Sequence, residues 1–349
     1  ISDMSYFDYH LSTANSYSNK LVDLLGPARN PFEPLIPGDK DFQRCADIAR
    51  GAQDLTVNLL CKIFTHAYQL TSSRRFLFSG GVSMNSAAID SIAQLPFVDE
   101  IIIPPSPGDA GCAIGAAFYC YIKSNFYKNL NITKPSLFPS MTETTDNQFL
   151  TEKIISQEFN ILEKNQDDAF LRAAELISSG EVIGTILSHS ETGPRALGNR
   201  PLICDGKNKD AVKYLNTVVK NRSPFRPIAP AMRYDIAKKY YLLRPEIHDC
   251  YKTMSATCKC IKGSISSGFP TTHVDGTARI QIVEKQSFLD QLLTKLEPMK
   301  IEILANSSLN VSGDPTCFDL IDGLMVCVRT PLRFLLTDIG LLAKKNITN

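Results

Sequence analysis

Between Asp41 and Leu70, apolar or small residues recur at Cys45, Ile48, Ala49, Ala52, Leu55, Leu59 and Ile63, three or four positions apart. That period fits one face of a helix, so the spacing predicts one long amphipathic helix over 41–70. Phe76-Leu77-Phe78 is short and apolar, Ser79-Gly80-Gly81 interrupts it, and Met84 to Leu95 returns to helical spacing. The grammar then repeats. Val98 to Ile103 reads as a buried strand, Pro104-Pro105 ends it, and Gly108-Asp109-Ala110-Gly111 leads into a small-residue helix from Cys112 to Tyr121. Strand, glycine turn and helix, twice over, predict a parallel α/β sheet.

From Ser124 to Asn147 the periodicity is lost and Asn, Lys, Pro, Ser and Thr accumulate, as in an interdomain linker. The expected domains are therefore 1–147 and 148–349. Beyond the linker, Asp167 is placed to cap a helix running to Ser178, Gly180 to stop it, and Val182 to Leu187 to form a strand. Short strands then alternate with helices and turns in an α+β pattern without repeats, so the expected fold class is α/β plus α+β.

Composition narrows the picture. The 349 residues are 44% hydrophobic and 21% charged, which suits a soluble globular chain of about two domains. Lys+Arg 37 against Asp+Glu 36 leaves a net charge of +1, so no global field favours nucleic acid or an anionic membrane. No apolar run reaches the ~18 residues of a membrane span. Ten cysteines are scattered in mostly apolar context, so a reducing cytoplasm is expected rather than a disulfide scaffold. Cys258 and Cys260, with Cys250 upstream, lack the ligand spacing of a zinc site. The sequon Asn131-Ile132-Thr133 is read as chance, because no signal peptide is seen. The chain opens on Ile1 rather than Met, directly onto Ser2 and Asp3, which reads as a fragment or a processed chain.

Charge is local instead. From Glu191 to Tyr240 there are eleven Lys or Arg against four acids, an excess of seven. Within this stretch Gly193-Pro194-Arg195-Ala196-Leu197-Gly198-Asn199-Arg200 and Pro224-Phe225-Arg226-Pro227 frame arginines with rigid Gly and Pro. A fixed guanidinium fork suits bidentate binding of phosphate or carboxylate, whereas Lys207, Lys209, Lys213, Lys238 and Lys239 read as a solvated face. Ser79-Gly80-Gly81-Val82-Ser83-Met84-Asn85 joins a strand to a helix, where glycines admit a ligand and helix amides face an anion; a plain tight turn is the alternative. Asp109 ends a buried strand and reads as a metal ligand or a helix cap. His273-Val274-Asp275-Gly276-Thr277-Ala278-Arg279 places three functional side chains around a turn, and Asn306-Ser307-Ser308-Leu309-Asn310 follows an apolar strand expected over Ile301 to Leu304, which places its amides and hydroxyls to line a strand-end pocket. A hydrogen-bonded turn explains either segment as well.

In this order, SGGVSMN at 79–85, PPSPGDAG at 104–111, ETGPRALGNR at 191–200, PFRPIAPAM at 224–232, THVDGTARIQIV at 272–283 and ANSSLNVSGDP at 305–315 resemble the O-carbamoyltransferase family of NodU- and TobZ-like enzymes. The resemblance runs from about Tyr6 to the end of the chain. It implies a partial actin/sugar-kinase-like ATPase lobe followed by a YrdC-like domain that forms carbamoyl-adenylate from carbamoyl phosphate and ATP, the carbamoyl group then passing to a small-molecule hydroxyl. It further implies Arg195, Arg200, Arg226 and Arg279 as phosphate ligands and His273 in the carbamoyl phosphate region. Gly80, Gly81, Asn85, Gly108, Asn306 and Asn310 would hold nucleotide. Asp109 would be one ligand of a divalent metal, Fe or Mg. The family's first ATPase half, with its His-rich metal motif, has no counterpart here, since His10, His66, His189, His248 and His273 include no i, i+4 pair. Thr192, Pro201 and Leu309 stand where the family has Phe, Ser and Phe.

The expectation is a carbamoyltransferase whose second domain makes carbamoyl-adenylate, while transfer to the acceptor needs a lobe from elsewhere, such as a second chain. The alternatives are a threonylcarbamoyl-adenylate synthase or hydrogenase-maturation type of enzyme sharing the YrdC-like fold, and a non-catalytic subunit holding nucleotide or RNA. Nucleic acid is disfavoured because the local cations lack interleaved aromatics.

Overall fold

The computed structural model describes residues 3–11, 13, 16–30, 33, 35–39, 41–124, 145–223, 225–264 and 269–345. It divides into two compact units, Ile1–Ser72 and Ser73–Asn349. The expected linker falls largely outside the described residues, as do the sequon at 131–133 and Pro224. By packing, 73–123 belongs with the chain's second half. Thr257 N–H donates to Ser86 O (3.1 Å), Cys250 Sγ to Ile101 O (3.6 Å), and Arg244 Nε to Asp90 Oδ1 (3.0 Å).

The first unit contains α1 (Asn19–Leu25) and α2 (Phe42–Thr71). The latter is the long helix its periodicity predicts. It stops where Ser72 adopts φ 55° and returns its N–H to Tyr68 O, a left-handed cap. Arg44 reaches back from α2 to the carbonyls of Leu25 and Pro27 at 3.0 and 3.2 Å, satisfying the open C-terminus of α1.

The second unit opens with β1 (Arg75–Leu77), α3 (Ser86–Ile92), β2 (Glu100–Ile102) and α4 (Gly111–Lys123). Here β1 and β2 pair in parallel as expected, with Phe76 opposite Ile101. Asn85 caps α3 by accepting from Ala88 N–H. There follow α5 (Thr145–Glu158), β3 (Phe159–Glu163), α6 (Gln166–Ser178), β4 (Ile183–Ile186), β5 (Pro201–Asp205), α7 (Lys209–Lys213) and a π-helical extension Tyr214–Val219. Next come β6 (Ala229–Met232), α8 (Tyr234–Tyr240), β7 (Tyr241–Leu242), α9 (His248–Lys252), β8 (Cys258–Cys260), β9 (Thr277–Ala278) and β10 (Gln281–Ile282). The chain closes with α10 (Phe288–Leu296), β11 (Leu304–Ser308), α11 (Leu320–Arg329), β12 (Phe334–Thr337) and β13 (Gly340–Lys344).

Eight strands form one mixed sheet in the order β10-β6-β11-β5-β4-β12-β13-β3, and β7-β8-β9 form a small antiparallel one. Side chains alternate across a strand, so the large sheet builds two cores. Ile183, Leu187, Ile203, Leu336 and Leu341 pack with Phe170 and Ala173 of α6 and Leu289 and Leu293 of α10. Val182, Ile186, Leu202, Leu335 and Leu342 pack with Val212 of α7 and Leu324 and Cys327 of α11. The outcome is a mixed α/β fold with helices on both faces.

Two local expectations are corrected. Asn165, not Asp167, caps α6, because its carbonyl oxygen accepts from Asp168 N–H. The strand expected over Ile301–Leu304 is instead Leu304–Ser308, because it pairs with β5 on one side and β6 on the other. Asn306 and Ser307 are therefore strand residues.

Gly340 opens β13 with φ 121°, and a β-carbon there would sit 2.0 Å from Glu163 O. Replacement by alanine meets both backbone strain and a main-chain clash. Gly340→Ala should cost roughly 2–4 kcal/mol, read as a lower urea midpoint with unchanged slope.

Candidate active site

The loop between β4 and β5 carries the Gly-Pro-framed arginines, and its own side chains hold it. Glu191 Oε1 accepts four consecutive main-chain N–H groups, from Leu197 (2.8 Å), Gly198 (3.0 Å), Asn199 (2.8 Å) and Arg200 (3.2 Å). Arg200 does the converse. Fully buried, its guanidinium donates to the carbonyls of Leu187 (2.9 Å), Asn199 (3.1 Å), Ser188 (3.2 Å) and Phe318 (3.1 Å). The position read as a phosphate ligand is thus committed largely to scaffold carbonyls. Gly193 passes so close to Pro105 that a β-carbon would fall 2.2 Å from its carbonyl oxygen, which pins Arg195 beside the 104–108 turn.

Arg195, Arg222, Arg279, Asn306, Ser307 and Ser308 line a cavity of about 120 Å³, with Met254 and Pro227 among its walls. Arg222 arrives there through the π-helical turn. Its N–H donates to Asn216 O (3.2 Å), its Nε bonds Asn216 Oδ1, and its Nη2 reaches Ser307 Oγ at 3.3 Å. Asn216 itself is buried and donates to Arg226 O (2.9 Å), so one side chain fixes both arginine-bearing segments. Behind the cavity Lys220, 2% exposed, donates to Ser308 O (2.6 Å), Ser308 Oγ (3.2 Å) and Asn310 Oδ1.

These cations face one another without carboxylate partners among the described residues. Burial and the neighbouring Arg195 and Arg222 hold Arg279 down to about 9. Burial and Arg226 bring Arg222 to about 10, and burial with Arg222 brings Lys220 to about 7. The Nε of Arg279 is buried with no partner. Burying unpaired like charges is unfavourable by several kcal/mol, and proteins keep such clusters where an anion completes them. A second buried polar atom is unpartnered among the described residues. Asn306 Nδ2 donates to Ala196 O (3.0 Å) and Gln281 Oε1 (2.6 Å), while Gln281 Nε2 donates to Leu197 O, so Asn306 Oδ1 is left buried and unpartnered.

The structure thus brings Arg195, Arg279 and Asn306 together with the hydroxyl-bearing Ser307 and Ser308 of the same segment, and adds Arg222 and Lys220, which sequence reasoning did not single out. Their available signal was Lys220-Asn221-Arg222, two cations two apart directly after an apolar Val218-Val219. Arg226 is exposed and outside the cavity wall. His273 bonds Thr277 Oγ1 (2.9 Å) in the hydrogen-bonded turn that Asp275 closes, and burial depresses its pKa. Asn310 braces Lys220 and the turn through Asp314 O rather than facing the cavity.

Gly80, Gly108 and Asp109 line a separate, mainly apolar cavity of about 600 Å³ with Pro105, Phe118 and Thr192. No lysine or arginine contributes to its wall. Gly81 and Asn85 lie in the turn and cap beside it. Among the described residues no three His, Cys, Asp or Glu side chains are grouped to hold a metal ion. Asp109 stands alone, so the residues present do not fit the divalent metal expected there.

Comparison with known proteins decides the family. The family model for the carbamoyltransferase N-terminus matches residues 4–118, and that for the carbamoyltransferase C-terminus matches 174–344. The chain belongs to the carbamoyltransferase family. Nodulation protein NolNO of Sinorhizobium fredii is 26% identical over 93% of this chain and 48% of its own length. The 3'-hydroxymethylcephem-O-carbamoyltransferase of Streptomyces clavuligerus is 28% identical over 70% of the chain and 44% of its own length. The chain thus spans about half the length of such relatives. Among solved structures, full-length HypF in its phosphate- and nucleotide-bound form overlaps 54% of this chain and 22% of its own, with a TM-score of 0.36 and 19% identity.

Two measurements test the cation cavity. Arg279→Leu should stabilise the ligand-free chain by about 1–2 kcal/mol in thermal melting, because a buried unpaired charge is lost. The same change should weaken inorganic phosphate binding about tenfold or more by calorimetric titration. For Lys220, the unfolded chain binds a proton between pH 7 and its ordinary 10.5 that the folded chain does not. Stability from this group is therefore lowest below pH 7 and rises with pH across that window. Phosphate affinity should fall over the same window, and Lys220→Met should flatten both trends.

Proposed function

We propose that this chain is the carbamoyl-activating part of an O-carbamoyltransferase. Carbamoyl phosphate, ATP and water give carbamoyl-adenylate, pyrophosphate and phosphate, and a hydroxyl of a small-molecule acceptor then displaces AMP from the carbonyl carbon. The reading rests on the convergence of Arg195, Arg222 and Arg279 on one small polar cavity, with no carboxylate paired to them among the described residues. Three guanidinium groups stabilise the charge that moves onto a leaving phosphate or pyrophosphate. Lys220 and Asn310 hold the Ser307-Ser308 wall in place, and Asn306 Oδ1 accepts a hydrogen bond from a bound donor group.

On this reading, residues 148–349 are a YrdC-like adenylate-forming domain. Residues 1–147 are part of an actin/sugar-kinase-like lobe, and the apolar cavity around Gly80, to which Thr192 of the second domain adds a wall, faces the acceptor step. Nodulation protein NolNO and the cephem carbamoyltransferase, matched over most of this chain, suggest a natural-product hydroxyl as acceptor. The lobe's remaining half comes from another segment or chain. Ten unpaired thiols accord with a reducing cytoplasm, and no described helix is long and apolar enough to cross a membrane. No step is assigned to a metal.

Pyrophosphate release from ATP tests the proposal. Release should require carbamoyl phosphate, and Arg195→Ala or Arg279→Ala should lower it about 100-fold. Absence of release from folded protein refutes adenylation. Release with bicarbonate and threonine in place of carbamoyl phosphate moves the chain to the threonylcarbamoyl-adenylate class.

A further inference from the structure

The amide nest that holds Glu191 leaves half of its carboxylate unused. Oε1 takes all four main-chain donors, while Oε2 is buried with no hydrogen-bond partner among the described residues. Glu191 lines a cavity of about 280 Å³ together with Arg195, Arg200, Thr316 and Cys317. This cavity is distinct from the cation cavity, yet the two share Pro194 and Arg195. A buried carboxylate oxygen without a donor is costly unless a bound group supplies one. Four fixed donors on Oε1 leave the carboxylate little freedom to turn away.

We infer that Glu191 is a specificity-determining residue that accepts the amide N–H of the one-carbon donor, while Arg195 and the adjoining cation cavity hold the donor's phosphate. This rests on the proposed use of carbamoyl phosphate and assigns its neutral end. The complementarity is directional. A ligand suited to both cavities is anionic at one end, for the guanidinium groups, and a hydrogen-bond donor at the other, for Oε2. Carbamoyl phosphate meets both demands. Acetyl phosphate has nearly the same shape and charge but turns a methyl group toward Oε2, leaving the buried oxygen unpaired. Sites built around a substrate N–H reject the analogue lacking it far more strongly than sites that judge size. Glu191 does not attack the donor, and nor does Cys317, whose thiol burial pushes up to about 12.

The experiment is calorimetric titration of the wild-type chain with inorganic phosphate, carbamoyl phosphate and acetyl phosphate, repeated on Glu191→Gln. The wild type should prefer carbamoyl over acetyl phosphate by about 100-fold or more. Glu191→Gln keeps a carbonyl oxygen for the four amides but offers an NH2 group where Oε2 stood, and should bring the ratio within about tenfold. Circular dichroism establishes that the variant is folded, and the wild-type comparison needs no variant. Equal wild-type affinity for the two acyl phosphates overturns the inference, as does an unchanged ratio in Glu191→Gln. A Glu191→Gln effect confined to the preference for ATP over ITP also overturns it, because the recognised N–H is then a purine's. If phosphate binds without discrimination between the acyl groups, only the Glu191 assignment fails. If the folded protein binds no phosphate at all, the anion reading of the cation cavity fails with it.

Discussion

Four successive amides pointing at one carboxylate oxygen of Glu191 fix the course of the loop from Glu191 to Arg200, and the rest of the site depends on that course. A loop between two sheet strands has main-chain donors and acceptors that no ladder satisfies. Here an acidic side chain takes the donors and a basic one, Arg200, takes the acceptors. The two charged residues neutralise the loop's polar backbone from within, so Arg195 is presented from a rigid support.

That rigidity matters because the site it serves is electrostatically unfavourable by itself. Arg195, Arg222 and Arg279 would spread apart if their segments were free to move, since like charges at low dielectric repel strongly. Asn216 ties Arg222 and the 226 segment together, the Gly193 approach to Pro105 confines Arg195, and strand pairing of β11 with β5 and β6 positions Asn306 to Ser308. The two packed cores of the eight-stranded sheet supply the stability that this arrangement draws upon. Phosphate chemistry in such a setting gains from donors already oriented before the ligand arrives.

The elements with strong periodicity were legible in the sequence. The helix over 42–71 and the parallel pairing of the Phe76 and Ile101 strands follow from spacing and glycine placement. Arg195 and Arg279 stood out through their Gly, Pro and turn neighbours. What remained hidden was anything decided across long chain distances. Arg200 and Arg195 look alike in the sequence, and only the fold spends one on carbonyls and leaves the other facing the cavity. Lys220 and Arg222 resemble the solvated lysines around them until Ser307, Ser308 and Asn310, some 85–90 residues on, close over them. Strand β11 was misplaced because Asn and Ser favour turns locally, while its two sheet neighbours override that preference.

The π-helical segment Tyr214–Val219 that delivers Lys220 and Arg222 has a consequence for how this stretch is wound. A π turn holds one more residue than the α turn it interrupts. Winding the same six residues as a regular α-helix would swing everything after them by about 100° around the helix axis. The cations would then face away from Ser307 and Ser308 even though every side chain were conserved in type. In this stretch the winding is under as tight a constraint as the identity of the residues, and a change that restored regular α-helical turns between Lys209 and Arg222 without removing a residue would damage the pocket more than most substitutions.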